Sequence, residues 1–210
     1  DNGFLKAANR NRLKFALMWA NHDWVEIFPA KTDRKQAVIY PGPVTRATFD
    51  KVGDYIVNNY FKQPNYWKID GKPYFSLYQT MTFVKGLGGL SQAKQALDSL
   101  RAKAKAAGLP GIHLNAVAWG VKPEGIAKDA ATMIRELGVD SVTSYCWIHH
   151  VPMKTFPSVS YPEYAKAAEA SWPKLSAQFP APYYPNVSMG WDSTPRTDQK
   201  DKWENIGYPY

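Results

Sequence analysis

The sequence predicts an α/β fold built on a parallel sheet, and within that class a (β/α) barrel. Three observations carry this. Short apolar runs alternate with helix-period segments five times along 210 residues, and such alternation covers a parallel sheet with helices. The phosphate turn expected of a doubly wound nucleotide-binding sheet is missing: Gly86, Gly88 and Gly89 cluster without G-x-G-x-x-G spacing. Aromatic and ionisable residues gather after the strands, where barrels concentrate their chemistry.

Each element has its own signal. Phe4, Leu5, Ala7 and Ala8 read as the tail of a helix. Leu13 to Trp19 is the first apolar run and the first strand. Phe49, Val52, Ile56 and Tyr60 recur at helical spacing within a helix from Thr45 to Phe61. Asp70-Gly71 is a turn signal, and Pro73 to Tyr78 forms the second strand. Ala93, Leu97, Leu100 and Ala104 mark one face of a helix from Leu90 to Ala107, which Gly108 ends.

Gly111 to Val117 is the third strand. A helix from Pro123 to Leu137 turns Ile126, Ala130, Met133 and Leu137 inward and stops at Gly138. Val139 to Ser144 is the fourth strand. Ser160 and Glu163 have capping-box spacing at the start of a helix that Pro173 is expected to kink or divide. Pro185 to Met189 is expected as the fifth strand.

Composition narrows the function classes. Hydrophobic residues make up 45% of the chain, which specifies a globular protein with a sizeable core. The net charge of +8 permits an anionic partner. The basic residues form no single tract, and Arg101, Lys103 and Lys105 read as a solvated helix face, so no nucleic-acid partner is expected. No apolar run approaches the ~20 residues of a membrane helix, so no membrane partner is expected. One cysteine and four histidines show no metal-ligand spacing, so neither metal nor other cofactor is expected. No G-x-S-x-G pattern supports a serine hydrolase.

The strand ends carry the candidates. Strand one ends in Trp19, Asn21, His22, Asp23 and Trp24, and strand two in Tyr78 and Gln79. Strand three ends in Trp119, strand four in Tyr145, Trp147, His149 and His150, and strand five in Trp191, Asp192 and Arg196. Indole and phenol faces stack on the C–H faces of a pyranose, while neighbouring polar groups bind its hydroxyls. Trp19, Tyr78, Trp119, Trp147 and His149 are therefore expected to bind substrate. Asp23 is the candidate for catalytic assistance, with capping of a turn as its alternative use.

Four segments carry a resemblance: LMWANHDW (17–24), YWKIDGKPYFSLY (66–78), SVTSYCWIHH (141–150) and YYPNVSMGWDSTPR (183–196). Together they resemble the glycoside hydrolase family 99-like group, which includes endo-acting α-mannosidases and relatives encoded among polysaccharide-processing genes. The resemblance implies a (β/α)8 TIM-type barrel and an oligo- or polysaccharide substrate with α-linkages. It implies retention through attack by the sugar's own 2-hydroxyl, and an extracytoplasmic setting. Asn21, Trp24, Trp191, Asp192 and Arg196 match its motifs and are carried over as substrate-binding residues, with Asp192 ion-paired to Arg196.

The chain departs from the family where catalysis lies. The family's catalytic carboxylates sit in a segment resembling W-N-E-W-x-E-G, and nothing like it occurs here. Only five of eight βα units are legible, so residues 1–210 are expected to be one incomplete barrel domain. The expected function is a glycoside hydrolase-like domain acting on α-linked, mannose-containing glycans. The alternative is a non-catalytic carbohydrate-binding barrel without the carboxylate pair. A basic surface for anionic polymers is a third reading.

Overall fold

The structure, a computed structural model, describes residues 3–26, 36–118, 121–155 and 159–189. The elements run β1 (Leu17–Trp19), β2 (Trp24–Val25), β3 (Val38–Tyr40), α1 (Arg46–Ile56), β4 (Lys68–Ile69), β5 (Lys72–Leu77) and α2 (Thr80–Gly86). They continue with α3 (Leu90–Ala106), β6 (His113–Val117), α4 (Ala130–Leu137), β7 (Ser141–Thr143), α5 (Tyr161–Gln178) and β8 (Tyr183–Tyr184).

Strands β1, β5, β6, β7 and β8 lie side by side in chain order, every pair parallel. The short β4 pairs antiparallel with β5 and completes a six-stranded sheet. Asp70 and Gly71 join these two strands with φ of 49° and 75°, the left-handed pair that a two-residue hairpin turn requires. A doubly wound sheet reverses its strand order at a switch point. This sheet never reverses, so right-handed crossovers leave its helices on one face. Helix α1 packs on α3, and α3 on α4. The sheet is open, with β1 and β8 as its edges among the described residues. The described residues thus form a mixed α/β unit with an open, mostly parallel sheet, the class that the strand–helix alternation predicts.

The core lies between sheet and helices. Phe75 and Leu77 of β5, Leu114 and Ala116 of β6 and Val142 of β7 are fully buried against Phe49, Phe61, Phe83, Leu97, Leu100 and Met133. Local chemistry sets the helix ends. The Thr45 hydroxyl accepts the Thr48 N–H at 3.2 Å, and the Asp129 carboxylate accepts the Thr132 N–H at 2.7 Å. Arg101 of α3 donates to the Gly138 carbonyl and to Asp140, whose carboxylate also accepts the Leu114 N–H at 2.8 Å. One guanidinium therefore joins a helix, the turn into β7 and the start of β6. At the other edge, the Tyr66 hydroxyl accepts the Leu17 N–H at 3.0 Å and donates to the Tyr74 carbonyl at 2.7 Å, which seats β1 beside β5.

Several boundaries differ from the sequence reading, each for a local reason. The amino-terminal segment forms two 3-10 turns, Phe4–Lys6 and Arg10–Arg12, with the Phe4 ring edge-on to Phe15 at 5.2 Å. β1 starts only at Leu17, because Phe15 bridges to Tyr66 and not to β5. The first long helix ends as a π-helical turn, Val57–Phe61. α4 begins at Ala130, since Gly125 takes φ 73° and Asp129 caps the later start. β8 is Tyr183–Tyr184, ahead of the expected Pro185–Met189, because Pro185 has no N–H for a ladder. Ser160 makes no side-chain capping bond despite its spacing. α5 runs through Pro173 undivided. Glu169 and Pro173 are exposed, so water reaches the side where Pro173 supplies no N–H. Helix α2 and the β2–β3 ribbon are elements that the periodicity missed.

Candidate functional site

The carboxyl ends of β1, β5, β6 and β7 lie together along one rim of the sheet. Asn21 organises the rim between the first two. It is buried (3% exposed), its Nδ2 donates to the Gln79 carbonyl at 2.8 Å, and its Oδ1 accepts the Gln79 N–H at 2.8 Å. Both ends of the amide are thus used to lock the loop after β1 to the loop after β5. The Asp23 carboxylate accepts the Gly42 N–H at 2.7 Å and so pins the chain leaving the β2–β3 ribbon. A Cβ at Gly42 would lie 2.5 Å from the His22 carbonyl carbon, so the ribbon can close on this loop only with glycine there.

These anchors place a row of rings. The His22 imidazole stacks beside Trp24 at 6.5 Å and meets Tyr78 edge-on at 5.5 Å. Tyr78 meets Tyr145 edge-on at 4.8 Å, and Tyr145 stacks with His149 at 6.1 Å. The row Trp24–His22–Tyr78–Tyr145–His149 therefore crosses the ends of β1, β5 and β7. Trp24 is 57% exposed, so an indole face is open to a ligand. Burial holds the His149 imidazole below its ordinary range, which keeps it neutral at neutral pH.

Two predicted tryptophans do not join the row. Trp19 pairs in register with Leu77 and stacks on Phe49 at 5.6 Å, on the helix side of the sheet. Trp147 is 3% exposed within a small second core with Val151, Tyr164 and Ala168. Its Nε1 donates to the Asn186 carbonyl at 3.0 Å, and its backbone N–H to Ser188 Oγ at 3.0 Å. Its indole packs against Tyr161 and Tyr164 of α5 rather than forming a platform. Asn21 and Asp23 stand at the rim in the positioning contacts given above. Trp119, Trp191, Asp192 and Arg196 lie outside the described residues.

Below the rim, the face of the sheet opposite the helices carries a polar ladder. Ser76 Oγ donates to Asn115 Oδ1, Asn115 Nδ2 donates to Ser141 Oγ, and Ser141 Oγ bonds His113 Nε2, each at 2.8 Å. Ser76, Asn115 and Ser141 are completely buried. Burial lowers the pKa of His113 against the opposing pull of Asp140. Tyr74 stacks over His113 at 5.7 Å, and Trp67 lies against Tyr74 at 4.7 Å. His22 and Tyr145 of the row stood among the strand-end residues but were not assigned to bind substrate, and the whole ladder was absent from the predicted site. For Tyr145 a signal existed: it follows the strand almost directly, whereas Trp147 comes two residues later. No such signal marks Ser76, Asn115 or Ser141, small polar residues within otherwise apolar strands.

The arrangement offers flat ring faces, a neutral imidazole at His149 and a rigid rim. Such a surface suits a ligand with both C–H faces and hydroxyls. Among the described residues no three His, Cys, Asp or Glu side chains converge on a metal position, and no helix is long and apolar enough to cross a membrane.

The model of the family described as Glycosyltransferase WbsX matches residues 3–203. A solved structure described as a glycoside hydrolase-like protein is 16% identical, with a TM-score of 0.45 over 76% of this chain. The match spans 44% of that chain, so this sequence corresponds to less than half its length. No curated protein matches.

Proposed function

Because the chain belongs to the glycosyltransferase WbsX family, and so is a carbohydrate-active protein, we propose that its aromatic row holds an α-linked, mannose-containing glycan. The observation that carries this is the unbroken run of rings from Trp24 to His149 across three strand ends. Trp24 stacks a sugar face, Tyr78 and His149 supply directional hydrogen bonds, and Asn21 keeps the loops in register. Trp191, Asp192 and Arg196 extend the same site in this reading. The strictly sequential parallel strand order supports a sheet that is part of a (β/α)8 barrel like that of the family 99-like glycoside hydrolases.

The reaction in this proposal retains anomeric configuration, with the sugar's 2-hydroxyl as internal nucleophile. Asp23, held by Gly42 beside His22 and Trp24, assists by hydrogen bonding a substrate hydroxyl. Glycoside cleavage ordinarily takes two carboxyl groups about 5–10 Å apart. One observation favours the second reading, a binding-only site: the Asp23 carboxylate already serves as a turn ligand, an ordinary use of Asp in loops.

A panel of α-mannans and α-glucans, assayed for binding and for released ends, separates the two. Turnover that Asp23→Asn removes while binding survives supports the enzyme. Binding without turnover, lost in Trp24→Ala, supports the lectin-like site. Absence of both in the unmodified protein overturns the proposal.

A further inference from the structure

A cleft of about 230 Å³ opens between the loop after β6, the loop after β7 and the carboxyl end of α5. It is smaller than the about 300–1,000 Å³ of drug-sized pockets, a scale suited to a single sugar residue. Val121, Leu175 and Phe179 form an apolar wall, while His149, His150 and Gln178 form a polar one. The cleft adjoins the aromatic row, because His149 belongs to both.

His150 is the unusual member. Both its ring nitrogens are buried, and neither has a hydrogen-bond partner among the described residues. Native structures leave few buried polar atoms unpaired, and each such atom calls for an explanation. Burial, and secondarily His149, lower the pKa of the ring, so it is neutral at neutral pH. A neutral imidazole presents one donor and one acceptor. The nitrogens face away from water here, so a ligand in the cleft reaches them by a turn of the ring about χ2, a broad torsion in histidine.

We propose that this cleft is a subsite for an N-acetylated sugar residue of the glycan, a reading that rests on the glycan-binding row. The imidazole N–H donates to the acetamido carbonyl. The bare ring nitrogen accepts from a neighbouring sugar hydroxyl. The Gln178 side-chain carbonyl accepts the acetamido N–H, and the methyl group seats on Val121, Leu175 and Phe179. A carboxylate fits less well. It accepts but does not donate, it would favour the imidazolium that burial disfavours, and the final carbonyls of α5 add negative partial charge to the same wall. Lys122, and the amino end of α4 at Ala130, favour an anion.

The test titrates the protein with the methyl glycosides of N-acetylglucosamine, N-acetylgalactosamine, glucose and glucuronate, read by the imidazole signals of the four histidines. The expected result is a shift of the His150 signals by an acetamido sugar, with glucose at least about tenfold weaker. His150→Phe and Gln178→Leu each weaken that binding about tenfold. Equal binding of glucose overturns the proposal, as does preferential binding of glucuronate that Lys122→Gln abolishes. Should His150→Phe unfold the protein, Gln178→Leu and the ligand series still decide. Binding of α-mannan is measured on the same samples. Mannan binding without acetamido binding overturns this inference alone, whereas failure of both overturns the glycan reading as well.

Discussion

The two faces of one sheet are both buried, yet they are built from opposite chemistry. All five residues of β6 are buried, but Leu114 and Ala116 face the helices while His113 and Asn115 face the other way into the polar ladder. On the helix side, non-directional packing removes apolar surface from water. On the ladder side, each polar atom must find a specific partner, because an unpaired one costs more than a paired one returns. Tolerance to substitution should therefore differ: the first face responds to volume, the second to the identity of atoms.

The largest effect is expected on the helix face. Phe75→Ala empties a fully buried site and should cost about 3–5 kcal/mol of stability by denaturant unfolding, whereas Phe75→Leu should cost much less. A comparable loss for both would mean that ring shape, not volume, governs this face. Asn115→Leu, nearly the same size, should cost about 1–3 kcal/mol because Ser76 and Ser141 lose their shared partner. If it proves neutral, the contrast between the faces fails.

A third test uses pH. Burial lowers the folded pKa of His113, with the same direction at His149 and His150. The unfolded chain then binds protons more readily than the native one. Stability should be highest above the ordinary histidine pKa of about 6.5 and should fall as pH drops through and below it. Urea midpoints measured from pH 8 to pH 5 check this, and a midpoint that rises on acidification would contradict it. The smallest effect on stability belongs to the rim. Trp24→Ala removes a 57% exposed indole and should move stability by less than about 0.5 kcal/mol, yet weaken glycan binding in a mannan assay. A large loss of stability would make Trp24 a packing residue like Trp147.

The two tryptophans show how far the sequence could be read. Trp24 and Trp147 both follow a strand and both sit among polar residues, so their neighbourhoods in the chain look alike. One stands in solvent, and the other lies beneath Tyr161 and Tyr164 of α5, fourteen or more residues away. Trp19 differs from Met18 only by strand parity, and parity becomes readable once the register Leu17↔Phe75 is known. The α3 face of Ala93, Leu97, Leu100 and Ala104 was legible because helical periodicity is local, and all four are buried. α2 was not, since seven residues give too few turns for a period to show.

By itself the sequence determined the α/β alternation, the turn at Asp70-Gly71, the ends of α3 and the gathering of aromatic residues after the strands. These depend on backbone conformation and on periodicity over neighbouring residues. Only the tertiary structure decided which rings form the row, that Asn21 is spent on Gln79, and that Ser76, Asn115, Ser141 and His113 share one ladder. Those are contacts between residues up to 67 positions apart. Their energies rest on alignment across strands, which no local pattern in the chain encodes.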